Sequence, residues 1–173
     1  MPQSETDWLS AESPDPQQAN SDAEPSEVVR LLNGGGLYVR TGLLLLPQKW
    51  LGREGELAVK LGVSHVNYQQ WKTPQIQAGQ SFLMYTAERL ADELDALCQQ
   101  KHPRSTLLVS LLDLPLTALH PAERRKFWQF MYSAFGKRPR GLLLTLPERT
   151  SVLPDETDLE NWRESRRLAR WNN

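Results

Sequence analysis

Three short segments of this chain consist almost entirely of aliphatic residues, and they limit its fold more than any other feature. They read GLLLLP (42–47), TLLVSLLD (106–113) and GLLLTLPE (141–148). Each has the length of a β-strand and is far shorter than the roughly 20 residues that span a membrane. A strand without polar alternation is buried on both faces, which is typical of a parallel sheet with helices on either side. The chain is therefore predicted to have an α/β fold.

Segments with a helical pattern alternate with these strands. The clearest, TAERLADELDALCQQ (86–100), has a threonine N-cap and leucines at positions 90, 94 and 97 on one face. Further helices are predicted from Ser26 to the following glycine run, within 52–62 and within 120–136, and a further strand within 63–71. Such alternation predicts a three-layer sandwich built on a mostly parallel sheet.

Charge and composition divide the chain into three parts. Residues 1–26 are rich in Ser, Pro, Gln and acidic residues and contain no Lys or Arg, so we predict a disordered acidic tail. Residues 27–152 form the predicted α/β domain. Residues 153–173 are predicted to form an amphipathic C-terminal helix, in which Trp162 and Trp171 are suited to contact a partner or to pack on the domain itself.

Composition excludes several classes of protein and gives no sign of a catalyst. The one cysteine, Cys98, cannot form an internal disulfide, and no signal peptide or membrane span is visible, so we expect a cytoplasmic protein. The three histidines, His65, His102 and His120, are scattered, without cysteines or carboxylates at metal-ligand spacing. We therefore expect no catalytic residues, no metal and no cofactor.

The loop after the first aliphatic strand has the spacing of a phosphate-binding loop. In the pattern G-x-x-x-x-G-K-[ST], Pro47 takes the place of the first glycine and Gly52 that of the second. Arg53 takes the place of the lysine, and Glu54 that of the hydroxyl residue. An apolar strand precedes the loop and an amphipathic segment follows it, so the register is that of a P-loop.

The side chains of this loop are poorly suited to phosphate. Pro47 lacks the N–H that would face an oxyanion, and Trp50 is bulky where the loop must wrap closely. Arg53 keeps a positive charge, but in a planar group instead of a compact ammonium. Glu54 places a carboxylate where a hydroxyl would bind Mg²⁺, beside the anion that it would repel. We predict that nucleotide binding is lost and that Lys49, Trp50 and Arg53 form a contact surface instead.

Asp113 ends the second aliphatic strand, where P-loop proteins place the aspartate that organises Mg²⁺. The motifs LLLLPQKWLGREGELAVKLGV, ERLADELDAL, LLVSLLDL and RGLLLTLPE follow one another as strand–loop–helix, helix, acidic strand and strand. This order resembles that of the additional-strand P-loop ATPases of the AAA+/RecA-like class. Among small members it is most similar to the P-loop proteins of bacteriophage-exclusion (BREX) defence systems, over residues 37–148.

The resemblance implies a P-loop-like fold and a role in bacterial defence. A second acid commonly follows the aspartate as the catalytic base in these ATPases, whereas Leu114 follows Asp113 in this sequence. Together with the altered loop, this implies an accessory subunit in which Asp113 no longer supports hydrolysis.

A helix-turn-helix is an alternative interpretation of residues 56–72. Ala58, Gly62 and Tyr68 fall where that motif has a small residue, a turn glycine and an apolar residue. A second helix, Ser64–Trp71, would present polar side chains to base edges, with a lysine near phosphate. The side chains concerned are those of His65, Asn67, Gln69, Gln70 and Lys72. This alternative predicts a sequence-reading DNA-binding protein.

A group of cations lies in the loop before the third aliphatic strand. Lys137, Arg138 and Arg140 are suited to contact phosphate or an acidic partner. We therefore predict a non-catalytic regulatory subunit that binds protein partners through this basic edge and the C-terminal helix. Nucleic acid is a further candidate ligand, an assembly that acts on DNA is one candidate for the larger complex, and the oligomeric state is left open.

Overall fold

The computed structural model describes residues 21–78 and 85–172. Its strands are β1 (Thr41–Leu46), β2 (Ser64–Asn67), β3 (Thr106–Ser110), β4 (Gly141–Pro147) and β5 (Leu168–Arg170). Its α-helices are α1 (Pro25–Asn33), α2 (Glu54–Leu61), α3 (Tyr68–Lys72), α4 (Ala87–Gln99), α5 (Asp113–Ala118), α6 (Pro121–Ser133) and α7 (Glu156–Glu164). Short 3₁₀ turns at Gln48–Trp50 and Thr73–Gln75 follow β1 and α3.

The strands form one parallel sheet in the spatial order β2-β3-β4-β1-β5. Successive leucines of β1 point to opposite faces of this sheet. Leu43 and Leu45 belong to a core that includes residues of α4 and α6, whereas Leu44 and Leu46 pack with residues of α1 and α2. Helices thus cover both faces, which confirms the predicted three-layer α/β architecture.

Local signals place several helix ends where the sequence predicts them. α1 ends before Gly34, and α2 ends before Gly62, whose φ of 67° is accessible to glycine at little cost. The Thr86 hydroxyl accepts a hydrogen bond from the Arg89 amide at 3.2 Å and so caps α4.

Regular structure begins earlier than predicted. Ala23 pairs with Ala169 of β5 on the side away from β1, and α1 begins at Pro25, so the predicted end of the tail at residue 26 is wrong. The carboxylate of Asp22 accepts hydrogen bonds from two arginines of the C-terminal segment, at 2.7 and 2.6 Å, which fixes the chain there. Residues 1–20, most of the predicted tail, lie outside the described residues.

The strand predicted to end at Asp113 is shorter than expected. β3 ends at Ser110, Leu111 has a φ of 60°, and Asp113 is the first residue of α5. A left-handed backbone at an L-residue costs about 1–2 kcal/mol, and here it accompanies the turn of the chain out of the sheet. Asp113 therefore lies at a helix N-terminus, where a carboxylate interacts favourably with the backbone dipole.

The prediction of one C-terminal helix over residues 153–173 is wrong. α7 ends at Glu164, Arg166 has a left-handed φ of 58°, and Leu168–Arg170 pair with β1 as strand β5. Leu168 and Ala169 are fully buried there. This apolar burial and the new backbone pairing favour a strand over a longer helix.

Both C-terminal tryptophans pack on the domain itself. Trp162 is 1% exposed, and its ring contacts those of Trp128 and Tyr132 edge to face, with centroid distances of 6.5 and 5.4 Å. Trp171 packs in the same manner on Trp50, at 5.5 Å. Trp162 is therefore a core residue and is not exposed to a partner.

The helix-turn-helix alternative is also wrong as a structure. Ser64–Asn67 pair with Leu107–Ser110 as strand β2, and the helix that follows is limited to Tyr68–Lys72. Val63 and Val66 are buried, and branched residues of this type suit a pleated sheet better than an exposed recognition helix.

We expect Trp162→Ala to lower the free energy of unfolding by about 3–5 kcal/mol, because it removes a large buried side chain and leaves a cavity. Urea denaturation measures the change. Val59→Ala, at a position 82% exposed on α2, is the control and should stay within about 0.5 kcal/mol of the wild type. An equally small effect of both substitutions would contradict the core position of Trp162.

Candidate functional site

The loop after β1 and the residue Asp113 meet at the carboxyl edge of the sheet. Residues 47–53 follow β1, Asp113 follows β3, and Thr145 lies on β4 between these strands. Glu54, Asp113 and Thr145 line one cavity with Gly52. Its volume of about 90 Å³ is small, since sites for small molecules usually measure roughly 300–1,000 Å³. The structure thus brings together the two segments that the sequence predicts to share a site.

Four N–H groups of this loop, those of residues 50–53, already have partners within the protein. The amides of residues 50, 51 and 53 donate to the carbonyl oxygens of Pro47, Gln48 and Trp50, at 2.9, 3.2 and 3.1 Å. The amide of Gly52 donates to Oε1 of Glu54 at 3.1 Å. A phosphate-binding loop instead presents several N–H groups to one anion. The loop of this protein is closed by its own hydrogen bonds.

Glu54 takes the place of an anion in this arrangement. It is the first residue of α2 and is only 7% exposed, and its carboxylate accepts a hydrogen bond from the Gly52 amide. Its carboxylate lies at the helix N-terminus, where the backbone dipole would otherwise favour a phosphate. Asp113 lines the same cavity, so two carboxylates oppose the approach of a further anion.

Arg53 makes its contacts outside the cavity. Its guanidinium pairs with Glu56 at 2.7 Å and lies over the Trp50 ring, 4.3 Å from the centroid. The hydrogen bond to Glu56 raises the pKa of Arg53, and the same bond lowers the pKa of Glu56. Trp50 is 5% exposed and is held by Trp171, whereas Lys49 is exposed. Of the predicted contact residues, Lys49 and the half-exposed Arg53 are therefore accessible.

The residues proposed to read DNA do not belong to one recognition helix, since two lie on β2 and three on α3. Nε2 of His65 lies 2.8 Å from Oγ of Ser110, and burial lowers the pKa of the imidazole. The side chain of Asn67 caps α3, since its Oδ1 accepts a hydrogen bond from the Gln70 amide at 3.1 Å. Gln69 and Gln70 are exposed on that short helix.

Lys72 belongs instead to a polar cluster that the sequence did not predict. Lys72 and Arg89 both form ion pairs with the carboxylate of Glu93. This carboxylate also accepts a hydrogen bond from the Tyr68 hydroxyl. The Tyr68 hydroxyl lies 3.2 Å from that of Tyr85. Burial raises the pKa of Tyr68 above its ordinary value. Tyr68 and Lys72 belong to α3, Arg89 and Glu93 belong to α4, and Tyr85 lies just before the N-cap of α4. No pattern in the sequence links these positions before the chain folds.

The predicted basic edge lies at the opposite, amino edge of the sheet. The structure adds Arg40, Lys101 and Arg104 to the three predicted residues, Lys137, Arg138 and Arg140, and the term basic edge is used below for all six. Arg40, Arg104 and Arg140 come just before β1, β3 and β4, and parallel pairing of these adjacent strands places them along one edge. Arg138 pairs with Asp95 at 2.7 Å, and Arg140 donates to the carbonyl of residue 100 at 3.1 Å. Part of this edge therefore stabilises the domain.

Neither a metal site nor an activated thiol is found among residues 21–78 and 85–172. No three or more His, Cys, Asp and Glu side chains in these ranges are grouped so that they could hold a metal ion. Burial raises the pKa of the Cys98 thiol to about 12, which disfavours the nucleophilic thiolate. Over the same ranges, no helix combines the length and the apolar character that crossing a membrane requires.

Comparison with known proteins does not assign the chain to a family. Scanned against protein-family models, the sequence matches none, and a search among curated proteins finds no significant match. The functional argument therefore depends on the geometry of the site.

We expect Glu54→Ala to lower the free energy of unfolding by about 1–2 kcal/mol, because the Gly52 amide loses its acceptor and α2 loses a charge at its N-terminus. Glu56→Ala is the matched control in the same helical turn, at a side chain 57% exposed, and should cost clearly less than Glu54→Ala. Urea denaturation at low and high salt measures both effects. Salt should reduce the effect of Glu56→Ala more strongly, because that ion pair is exposed. Identical costs and salt responses would contradict the special position of Glu54.

Proposed function

We propose that this protein is a non-catalytic, P-loop-like regulatory subunit that binds partners within a larger assembly. One observation carries the proposal. The Glu54 carboxylate accepts a hydrogen bond from the Gly52 amide at the place where a P-loop would hold phosphate. A side chain held there by the fold keeps the loop closed without nucleotide. On this proposal the protein keeps the order of strands and loops of a P-loop ATPase and has lost nucleotide binding and hydrolysis.

The layout of the strands supports a P-loop origin. β4 lies between β1, which precedes the loop, and β3, which precedes Asp113. A strand inserted between these two is the feature for which the additional-strand P-loop ATPases are named. A common origin with the small P-loop proteins of BREX systems would make this chain an accessory component of a defence complex that acts on DNA.

We assign the partner contact to the basic edge. Of its members, Arg138 is held by Asp95, whereas no described carboxylate pairs with the exposed side chains of Lys101, Arg104 and Lys137. A row of cations without counter-charges fits an acidic protein surface. The C-terminal segment contributes less than predicted, because Trp162 is buried.

The test is a charge reversal on this edge, with Lys101→Glu, Arg104→Glu and Lys137→Glu combined. Both forms are expressed in the native host and purified at low salt, with and without nuclease. We expect a defined protein that accompanies the wild type in fixed stoichiometry to be lost from the variant, because like charges then face each other. The control combines Arg125→Glu, Lys126→Glu and Arg149→Glu, which make the same charge change at exposed positions outside the basic edge.

The outcomes separate the alternatives. Loss of the partner from the basic-edge variant alone supports the assignment. Loss from both variants would attribute binding to net charge, and retention in both would contradict a role of this edge. A partner that disappears after nuclease treatment of the wild type would identify nucleic acid as the bound species.

A further inference from the structure

We infer that a second site, beyond the carboxyl ends of β2 and β3, binds a small organic anion with an apolar body. A cavity of about 340 Å³ lies there, with walls that include Tyr68, Lys72, Ile76, Tyr85, Leu114 and Pro115. This volume is within the range of small-molecule sites. Parallel sheets bind their ligands outside the carboxyl ends of the strands. The inference is independent of the function proposed for the loop.

One part of the cavity wall is apolar and accessible to solvent. Leu114 is 61% exposed and Ile76 is 40% exposed, although both are aliphatic. Pro115 and Ala118 of α5 extend the same wall. An apolar group bound between these residues would remove their surface from water, which is favourable. The ligand therefore needs an apolar body.

Among the described residues that line the cavity, Lys72 alone is charged, and it belongs to a cluster with an excess of positive charge. Lys72 and Arg89 pair with the single carboxylate of Glu93, so two cations and one anion leave a net charge of +1. The Lys72 side chain is only 12% exposed, and among the described residues its ammonium group donates one hydrogen bond, to Glu93. An ammonium group has three N–H donors. An anionic oxygen of a ligand would accept a remaining donor and balance the charge.

The two tyrosines preserve this excess charge. The hydroxyl of Tyr68 donates to Glu93 and therefore accepts from Tyr85, so both hydroxyl protons are used within the cluster. Burial raises the pKa of Tyr68, and its hydroxyl stays protonated at neutral pH. The cluster thus adds no further negative charge, and it favours an anionic head group over a cationic one.

Straight-chain carboxylates are suitable probes, because hexanoate, octanoate and decanoate share a head group and differ in apolar length. Ile76 is the only isoleucine of the sequence. Protein labelled at isoleucine δ1-methyl groups therefore gives one methyl NMR signal, from the wall of the cavity. Below the micellar concentration we expect a saturable shift of this signal. Affinity should rise by about fourfold for each added methylene until the cavity is filled.

Matched variants test the two parts of the wall. Lys72→Met should weaken octanoate binding about tenfold, whereas Lys72→Arg should retain it, because the charge-assisted hydrogen bond needs a cation. Leu114→Asp should abolish binding by placing a like charge in the apolar wall. Val59→Asp makes the same kind of change at an aliphatic residue outside the cavity and should leave binding intact. Thermal melting checks that each variant is folded.

Several results would overturn the inference. Octylamine or octanol binding as tightly as octanoate would exclude an anion-selective site. An octanoate affinity unchanged by Lys72→Met, in a folded variant, would exclude Lys72 as the contact. A shift of the Ile76 signal that grows without saturation, or that persists in folded Leu114→Asp, would exclude a defined cavity site.

Discussion

Burial of the central strands on both faces is the constraint on which the rest of the structure depends. β1 and β3 are buried at every position, and alternate leucines of β1 enter two separate cores. Helices must therefore cover both faces, and the chain must return to the same edge of the sheet before each new strand. The segments that follow the strands consequently collect at one carboxyl edge. The closed loop, Asp113 and the second cavity lie together there for this reason.

Closure of the loop depends on residues that are distant in sequence. Trp50 is buried beneath Arg53 and against Trp171, which follows the last strand, so β5 helps to hold the loop. A loop opened for phosphate would lose this aromatic contact and the hydrogen bond from Gly52 to Glu54. It would also bring an anion towards two carboxylates. Adding nucleotide therefore has to overcome contacts that the free protein already makes.

Local patterns in the sequence are sufficient to predict the fold class and to bring the loop after β1 and Asp113 to one edge of the sheet. Aliphatic strands, the Thr86 cap and glycines at helix ends act within a few residues, and each was read from the sequence. The spacing from Pro47 to Glu54 and the position of Asp113 also predict that these two segments lie close together, and both line one small cavity. The loss of phosphate chemistry stays a prediction, and it rests on charge and on the missing proline N–H, which are properties of single residues.

Features that depend on tertiary contacts were not predicted. The left-handed backbone of Leu111, which moves Asp113 from a strand to a helix, has no signal in residue type. The sequence predicts a helix at Leu168–Arg170, because their pairing partner, β1, lies more than a hundred residues away and leaves no local signal. The cluster around Glu93 joins α3 to α4 through side chains that only the folded chain brings together. Burial of Trp162 was one of two alternatives, and sequence alone did not decide between them.

The central claim, that an internal carboxylate has replaced the nucleotide, is tested most directly by titrating a fluorescent ATP analogue into the purified protein with and without Mg²⁺. The account predicts no saturable signal at millimolar nucleotide in either condition, because the amides of residues 50–53 already donate within the loop or to Glu54, and the Glu54 carboxylate lies at the start of α2. Saturable, Mg²⁺-dependent binding that Arg53→Ala abolishes would contradict the account and would make this protein a nucleotide-responsive switch.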